Sequence, residues 1–151
     1  MKGEYLQVDA KLDPKGRLVL PAKLRRKLEA DGITMLVFKV HPILKAIFAL
    51  TVEDWKKKVE EPLANAFIFD ATSLDLQHAL MGGAQNLDID KQGRINIPSK
   101  MRDEAGLDRE LVLQVLDGRL EVWASDLWEA RKVEAAKALK NINVNQFLRG
   151  S

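Results

Sequence analysis

The sequence predicts a mostly β fold with short helices (α+β), built from two copies of one unit that pack together as a pseudo-dimer inside one chain. Three observations predict it. The phrase from Asp13 to Arg25, Asp-Pro-Lys-Gly-Arg-Leu-Val-Leu-Pro-Ala-Lys-Leu-Arg, returns 77 residues later from Asp90 to Arg102 as Asp-Lys-Gln-Gly-Arg-Ile-Asn-Ile-Pro-Ser-Lys-Met-Arg. Each copy of the phrase joins a glycine turn, a short apolar run and a proline suited to opening a helix. A chain of 151 residues divided in two leaves neither half a large core of its own, so the halves must share one.

In the first copy, Glu4 to Leu12 reads as a strand with Tyr5 and Val8 inward. Asp13-Pro-Lys-Gly is turn chemistry, in which proline presets φ and glycine tolerates positive φ. Arg17 to Leu20 is a short strand, and Pro21 opens a helix whose Leu24 and Leu28, four apart, share a buried face. Asp31-Gly32 ends that helix. Thr34 to Val40 and Ile43 to Leu50 read as paired strands around His41-Pro42. Thr51 is a suitable N-cap, with Asp54 three residues on, for a helix carrying Val52, Trp55 and Val59 on one side and ending at Glu61-Pro62.

Leu63 to Ala71 bridges the copies and is apolar, unlike a loose linker. A short helix from a Thr72 cap to about Met81 is expected, with Leu76 and Leu80 buried and Gly82-Gly83 as terminator. The second copy repeats the plan: strand Ala84 to Ile89, turn Asp90-Lys-Gln-Gly, strand Arg94 to Ile97, and a helix from Pro98 to near Gly106. Glu110 to Leu116 and Arg119 to Ala124 form a hairpin across Asp117-Gly118, a strong two-residue turn signal. Ser125 caps a helix with Leu127, Trp128 and Val133. Aligning Thr51 with Ser125 gives the first copy three extra residues, placed most simply in the His41-Pro42 hairpin. Domain boundaries follow: a first unit at 1–62, a linker with its short helix at 63–83, a second unit at 84–140, and a polar, frayed tail at 141–151.

Composition narrows the function. The chain is 46% hydrophobic and 30% charged, ordinary for a globular domain. With no cysteine, disulfides, thiol nucleophiles and thiolate metal ligands are excluded. No secretory signal or membrane-spanning run is present, which leads to an expected cytoplasmic location. His41 and His78 have no repeat partners and no metal-ligand spacing, so both read as structural. The Gly-Gly pair lacks the rest of a phosphate loop. No catalytic residue, metal or cofactor is expected. Trp55, Trp123 and Trp128 follow burial patterns, which argues against a stacking platform for single strands.

Net charge is only +2, but its distribution is uneven. Lys11 to Lys27 holds seven basic residues and one aspartate, whereas Asp88 to Glu104 balances four basic residues against four acidic. A basic cluster around a glycine turn suits a polyanion. Arg17 and Arg94 follow the turns, and a planar guanidinium matches phosphate and guanine edges bidentately. Lys15, Lys91, Lys11, Lys23 and Arg25 are further candidates for contacts to the DNA backbone. Asp13 and Asp90 accept turn amides and organise the loops with Gly16 and Gly93.

These features resemble one family. The two Asp-x-x-x-Arg phrases, Leu-Pro-Ala-Lys-Leu-Arg after the first, His41-Pro42, the segment His78-Ala-Leu-Met-Gly-Gly-Ala84 and Leu120-Glu-Val-Trp123 together are similar to the MraZ family of bacterial transcriptional regulators. The resemblance spans roughly Gly3 to Glu134. It implies tandem AbrB-like swapped-hairpin units and octameric or dodecameric rings. It also implies binding to short G-rich direct repeats in double-stranded promoter DNA, repression or autoregulation of the division and cell wall operon, and association with the nucleoid. In the family the loop arginines face DNA, which transfers to Arg17 and Arg94, with Lys15 two residues before the first. An antitoxin-like or other protein-interaction module on the same fold is the alternative.

Overall fold

The computed structural model describes residues 1–64 and 68–149. Eight strands form two sheets. In the first copy these are β1 (Tyr5–Lys11), β2 (Arg17–Val19), β3 (Met35–Val40) and β4 (Ile47–Thr51); in the second, β5 (Gln85–Asp88), β6 (Arg94–Asn96), β7 (Glu110–Leu116) and β8 (Arg119–Ala124). The larger sheet has the order β1-β7-β8-β4-β3-β5, and β2 pairs with β6 in a separate ribbon. All pairings are antiparallel. Exchanging the copies, β1 for β5, β3 for β7 and β4 for β8, maps this order onto itself. Among the described residues the ladders within a copy are the hairpins β3–β4 and β7–β8, with single bridges at Leu12–Leu18 and Ile89–Ile95; the other ladders join one copy to the other.

One continuous core results. The inner face of the large sheet supplies Leu36, Phe38, Ile47, Leu111, Leu113 and Leu120, the ribbon supplies Leu18 and Ile95, and the flanking helices supply Leu24, Leu28 and Met101. These helices are α1 (Ala22–Ala30) and α5 (Ser99–Glu104). Leu24 and Leu28 are both buried, as their spacing predicts.

Several local expectations need correction. Helix is a larger share of the fold than "mostly β" implies: α4 (Ala71–Met81) and α6 (Ser125–Leu139) are substantial, so the architecture is mixed α/β. Tyr5 is 70% exposed and points outward, because strand parity puts Leu6, Val8 and Ala10 on the inner face. The stop expected at Glu61-Pro62 falls one residue later, at Leu63. The chain runs from α2 (Val52–Trp55) through a π-helical segment (Lys56–Glu60) into α3 (Glu61–Leu63). The wider turn is closed by Glu61 N–H on Lys56 O, and the proline sits in the last turn of the helical run.

The cap of α4 is Asp70, whose carboxylate accepts from Ser73 N and Oγ at 2.9 Å, and not Thr72. Neither Leu76 nor Leu80 is buried: Leu76 is 48% exposed, Leu80 borders a hollow with Trp55, Pro62 and Leu63, and Leu74 and Gln77 are half-buried. Ser125 lies within α6 and caps nothing; Ala124 precedes the helix. Ile43 stands in the loop before β4, 87% exposed. The tail contains α7 (Val144–Leu148), capped by the Asn143 side chain on Gln146 N. The length difference between copies is four residues. The offset of 77 at the loops falls to 75 where Leu36 matches Leu111 and to 73 where Val52 and Ser125 open their helices, so the α1 region and the hairpin contribute equally.

Candidate nucleic-acid interface

The two Asp-x-x-x-Arg loops are built alike, bond for bond. In the first, Asp13 Oδ1 accepts from Lys15 N and Arg17 N, both at 2.9 Å, and Oδ2 accepts from Arg17 Nε at 2.7 Å. In the second, Asp90 Oδ1 accepts from Gln92 N at 2.9 Å and Arg94 N at 2.8 Å, and Oδ2 accepts from Arg94 Nε at 2.9 Å. Each loop also closes with the glycine N–H on the aspartate carbonyl at 3.0 Å. Gly16 and Gly93 have φ of +82° and +75°, a region that L side chains enter at a cost.

The Arg17 N–H, the Arg17 guanidinium and the Lys15 N–H all favour a charged Asp13, and the matching groups do so at Asp90. Both carboxyls are therefore held below the usual aspartate value, the arginine backbone N–H contributing most.

Strand register decides where the arginines go. Arg17 pairs with Asn96, Leu18 with Ile95 and Val19 with Arg94. Leu18 and Ile95 are fully buried, so Arg17, Val19, Arg94 and Asn96 share the outer face of the ribbon. Arg17 and Arg94 are diagonal neighbours on it, a spacing of roughly 7–8 Å. Backbone bonds tie the ends together: Leu20 N donates to Gly93 O at 2.9 Å and Ile97 N to Gly16 O at 3.1 Å.

A curated relative, the transcriptional regulator MraZ of Lactobacillus helveticus (strain DPC 4571), is 34% identical over 143 residues, 95% of this chain and 94% of the relative. The chain belongs to the MraZ family. The family's sequence profile, described as "MraZ protein, putative antitoxin-like", matches residues 80–150. The transcriptional regulator MraZ of Treponema denticola is 32% identical over 94% of this chain and 99% of its own length. That of Natranaerobius thermophilus is 29% identical over 87% of each. Each of these relatives is described as a transcriptional regulator.

Of the other predicted residues in this MraZ-family fold, Lys15 and Lys91 are exposed in the two loops. Lys11 ends β1 opposite Glu110, at the foot of the first loop. Lys23 lies in the first turn of α1, where it borders a hollow with Glu4, Tyr5 and Leu6 at the start of β1. Arg25 is engaged within the protein, its Nε on Glu29 at 2.9 Å and its Nη2 on Lys91 O at 2.5 Å.

Sequence reading did not single out Val19 and Asn96, because only the cross-copy register reveals that they hold the other two corners of the face that carries the arginines. His41 is structural, its Nδ1 accepting from Ile43 N and Leu44 N at 3.0 and 2.9 Å. Among the described residues no group of three or more His, Cys, Asp or Glu is placed to hold a metal, and no helix is long and apolar enough to cross a membrane.

Proposed function

We propose that this chain is a transcriptional regulator that binds double-stranded promoter DNA through the β2–β6 ribbon. The observation that carries this reading is the convergence of two identically hydrogen-bonded loops on one ribbon face, with Arg17 and Arg94 presented side by side. A two-stranded ribbon fits the major groove, and a spacing of roughly 7–8 Å covers about two base-pair steps. Arg17 and Arg94 are the principal contacts, with Lys15, Lys91 and Lys11 placing the ribbon on phosphates. Asn96 suits an adenine edge and Val19 a thymine methyl. Lys23 is assigned no contact.

In this reading the chain is a tandem, intrachain pseudo-dimer of swapped-hairpin units, at 1–62 and 84–140. The strand order that maps onto itself when the copies exchange supports it. The operator is a set of short G-rich direct repeats before the chain's own division and cell wall operon, which it represses. The description of the relatives as regulators supports the class of function. Assembly into octameric or dodecameric rings is supported by apolar residues exposed near the end of the chain, including Leu139 of α6, Ile142 in the turn after it and Leu148 of α7. A ring engages several repeats at once, so each weak contact raises the effective concentration of the next. Nucleoid association follows from that binding.

The test is a titration of the assembled protein on DNA upstream of its own gene, against scrambled DNA and DNA with one repeat, beside a folded Arg17→Ala, Arg94→Ala variant. Tight, repeat-dependent, salt-sensitive binding that the variant lacks is expected. Equal affinity for one repeat and several would remove the multivalent account, and no preference for that DNA would redirect the reading to a protein partner.

A further inference from the structure

Arg25 and Arg102 stand at equivalent positions of the repeat, 77 residues apart like the loops themselves. Each lies against the loop of the other copy. A Cβ built on Gly93 would stand 2.6 Å from Arg25 Cδ and 3.0 Å from its Nε. A Cβ on Gly16 would stand 2.6 Å from Arg102 Cζ and 2.9 Å from its Nε and Nη2. Both arginines are then fastened to backbone. Arg25 donates to Lys91 O inside the second loop, and Arg102 Nε donates to Ile97 O at 3.0 Å, in the residue whose N–H holds Gly16 O.

We infer that Arg25 and Arg102 are positioning residues, each holding the opposite copy's Asp-x-x-x-Arg loop in the shape that presents its arginine. The DNA consequence rests on the function proposed above; the clamp itself does not. Positive φ alone would admit asparagine at some cost. With the arginines where they lie, a Cβ on either glycine would stand 2.6 Å from one of them and push it off the loop, so Gly16 and Gly93 serve both the turn and the overlying arginine. A guanidinium is flat and carries donors along its edge, so it covers a peptide while bonding a carbonyl beside it. A lysine brings the same charge on a round, strongly hydrated head and does not reproduce that contact. Arg25 also spends its Nε on Glu29 and its Nη2 on Lys91 O, so reaching a phosphate would mean releasing the loop.

The experiment measures amide hydrogen exchange of the full-length protein in Arg25→Met, Arg102→Met, Arg25→Lys and Arg102→Lys variants, with thermal melts reporting global folding. A crossed pattern is expected. Substituting Arg25 speeds exchange at Gln92, Gly93 and Arg94 by roughly tenfold while Lys15, Gly16 and Arg17 keep their wild-type rates, and substituting Arg102 does the reverse. Faster exchange in the loop of the same copy, or in neither loop, overturns the clamp, and this arm reads out even for a protein that binds no DNA. A methionine variant that fails to fold leaves the lysine variant to decide. DNA titrations over a range of salt form the second arm. Weaker binding with an unchanged slope against salt is expected, whereas a slope lowered by about one for each engaged loop marks a lost phosphate contact and overturns the proposal. Wild-type affinity in the lysine variants would show that charge, and not the flat clamp, is what counts.

Discussion

At the scale of residues, the loops depend on carboxylates that stay charged. Asp13 and Asp90 are held below their ordinary value of 3.8, chiefly by the arginine N–H groups. A depressed folded pKa contributes stability that is fully present above the unfolded value and is lost as pH falls through the folded one. The loops should therefore keep their form at pH 5, with the Arg17 and Arg94 amides still protected, and open only in stronger acid. Loss of that protection at pH 5 would contradict the bonding described. His41 acts over a higher window. Burial lowers its pKa from 6.5, outweighing the attraction of Glu121, and Arg131, Lys39 and Arg119 lower it further. Its neutral Nδ1 accepts two amides, and protonation there removes both bonds. The contribution is complete above about pH 6.5 and declines as pH falls through the lowered value. Urea midpoints measured from pH 7.5 to 5 should drop, and a His41→Asn variant, which keeps an acceptor without titrating, should show a flatter profile.

At the scale of elements, the ribbon buries one face and carries the proposed DNA contacts on the other. Leu18 and Ile95 are fully buried, so Leu18→Ala or Ile95→Ala should destabilise the protein by about 2–5 kcal/mol in urea unfolding. Val19→Ala and Asn96→Ala remove exposed side chains and should change stability by under about 0.5 kcal/mol. Their effect should appear as altered base preference in binding to a panel of mutated repeats; an unchanged preference would remove both from the reading face. The loops, the buried Leu24 and Leu28 of α1 and the hairpin at Asp117-Gly118 were legible in the sequence, because turn chemistry and residue spacing are local. Asp117 and Gly118 take φ of 42° and 93°, as a tight hairpin turn requires. The partnership of β2 with β6 was not legible, since a three-residue strand carries no record of its partner. The incomplete burial of Leu76 and Leu80 was hidden for a related reason: α4 is apolar on more than one side, and only its neighbours select the face. Arg25 looked like one more cation in a basic run until the opposite loop was found beneath it.

At the scale of the whole molecule, neither half has a sheet of its own. Among the described residues β1 pairs with β7 alone, β5 with β3 alone, and the two hairpins meet at β4 and β8. Residues 1–62 expressed alone should give an unfolded spectrum, and adding the second half should restore structure. A chain cut by protease between Leu63 and Asp70 should elute as one particle, held by four ladders that cross the copies. Separation of the cut halves under native conditions would contradict the interleaving. The same arrangement has a consequence during synthesis. Lys11 leaves the ribosome long before Glu110, its partner across the ladder, has been made. At about 5–20 residues per second the first strand waits roughly 5–20 s with its edge unpaired. Nascent chains stalled short of β7 should remain open to protease, and those stalled well past β8 should be resistant. Translation speed and chaperone cover over that interval set how much of the protein reaches its native state.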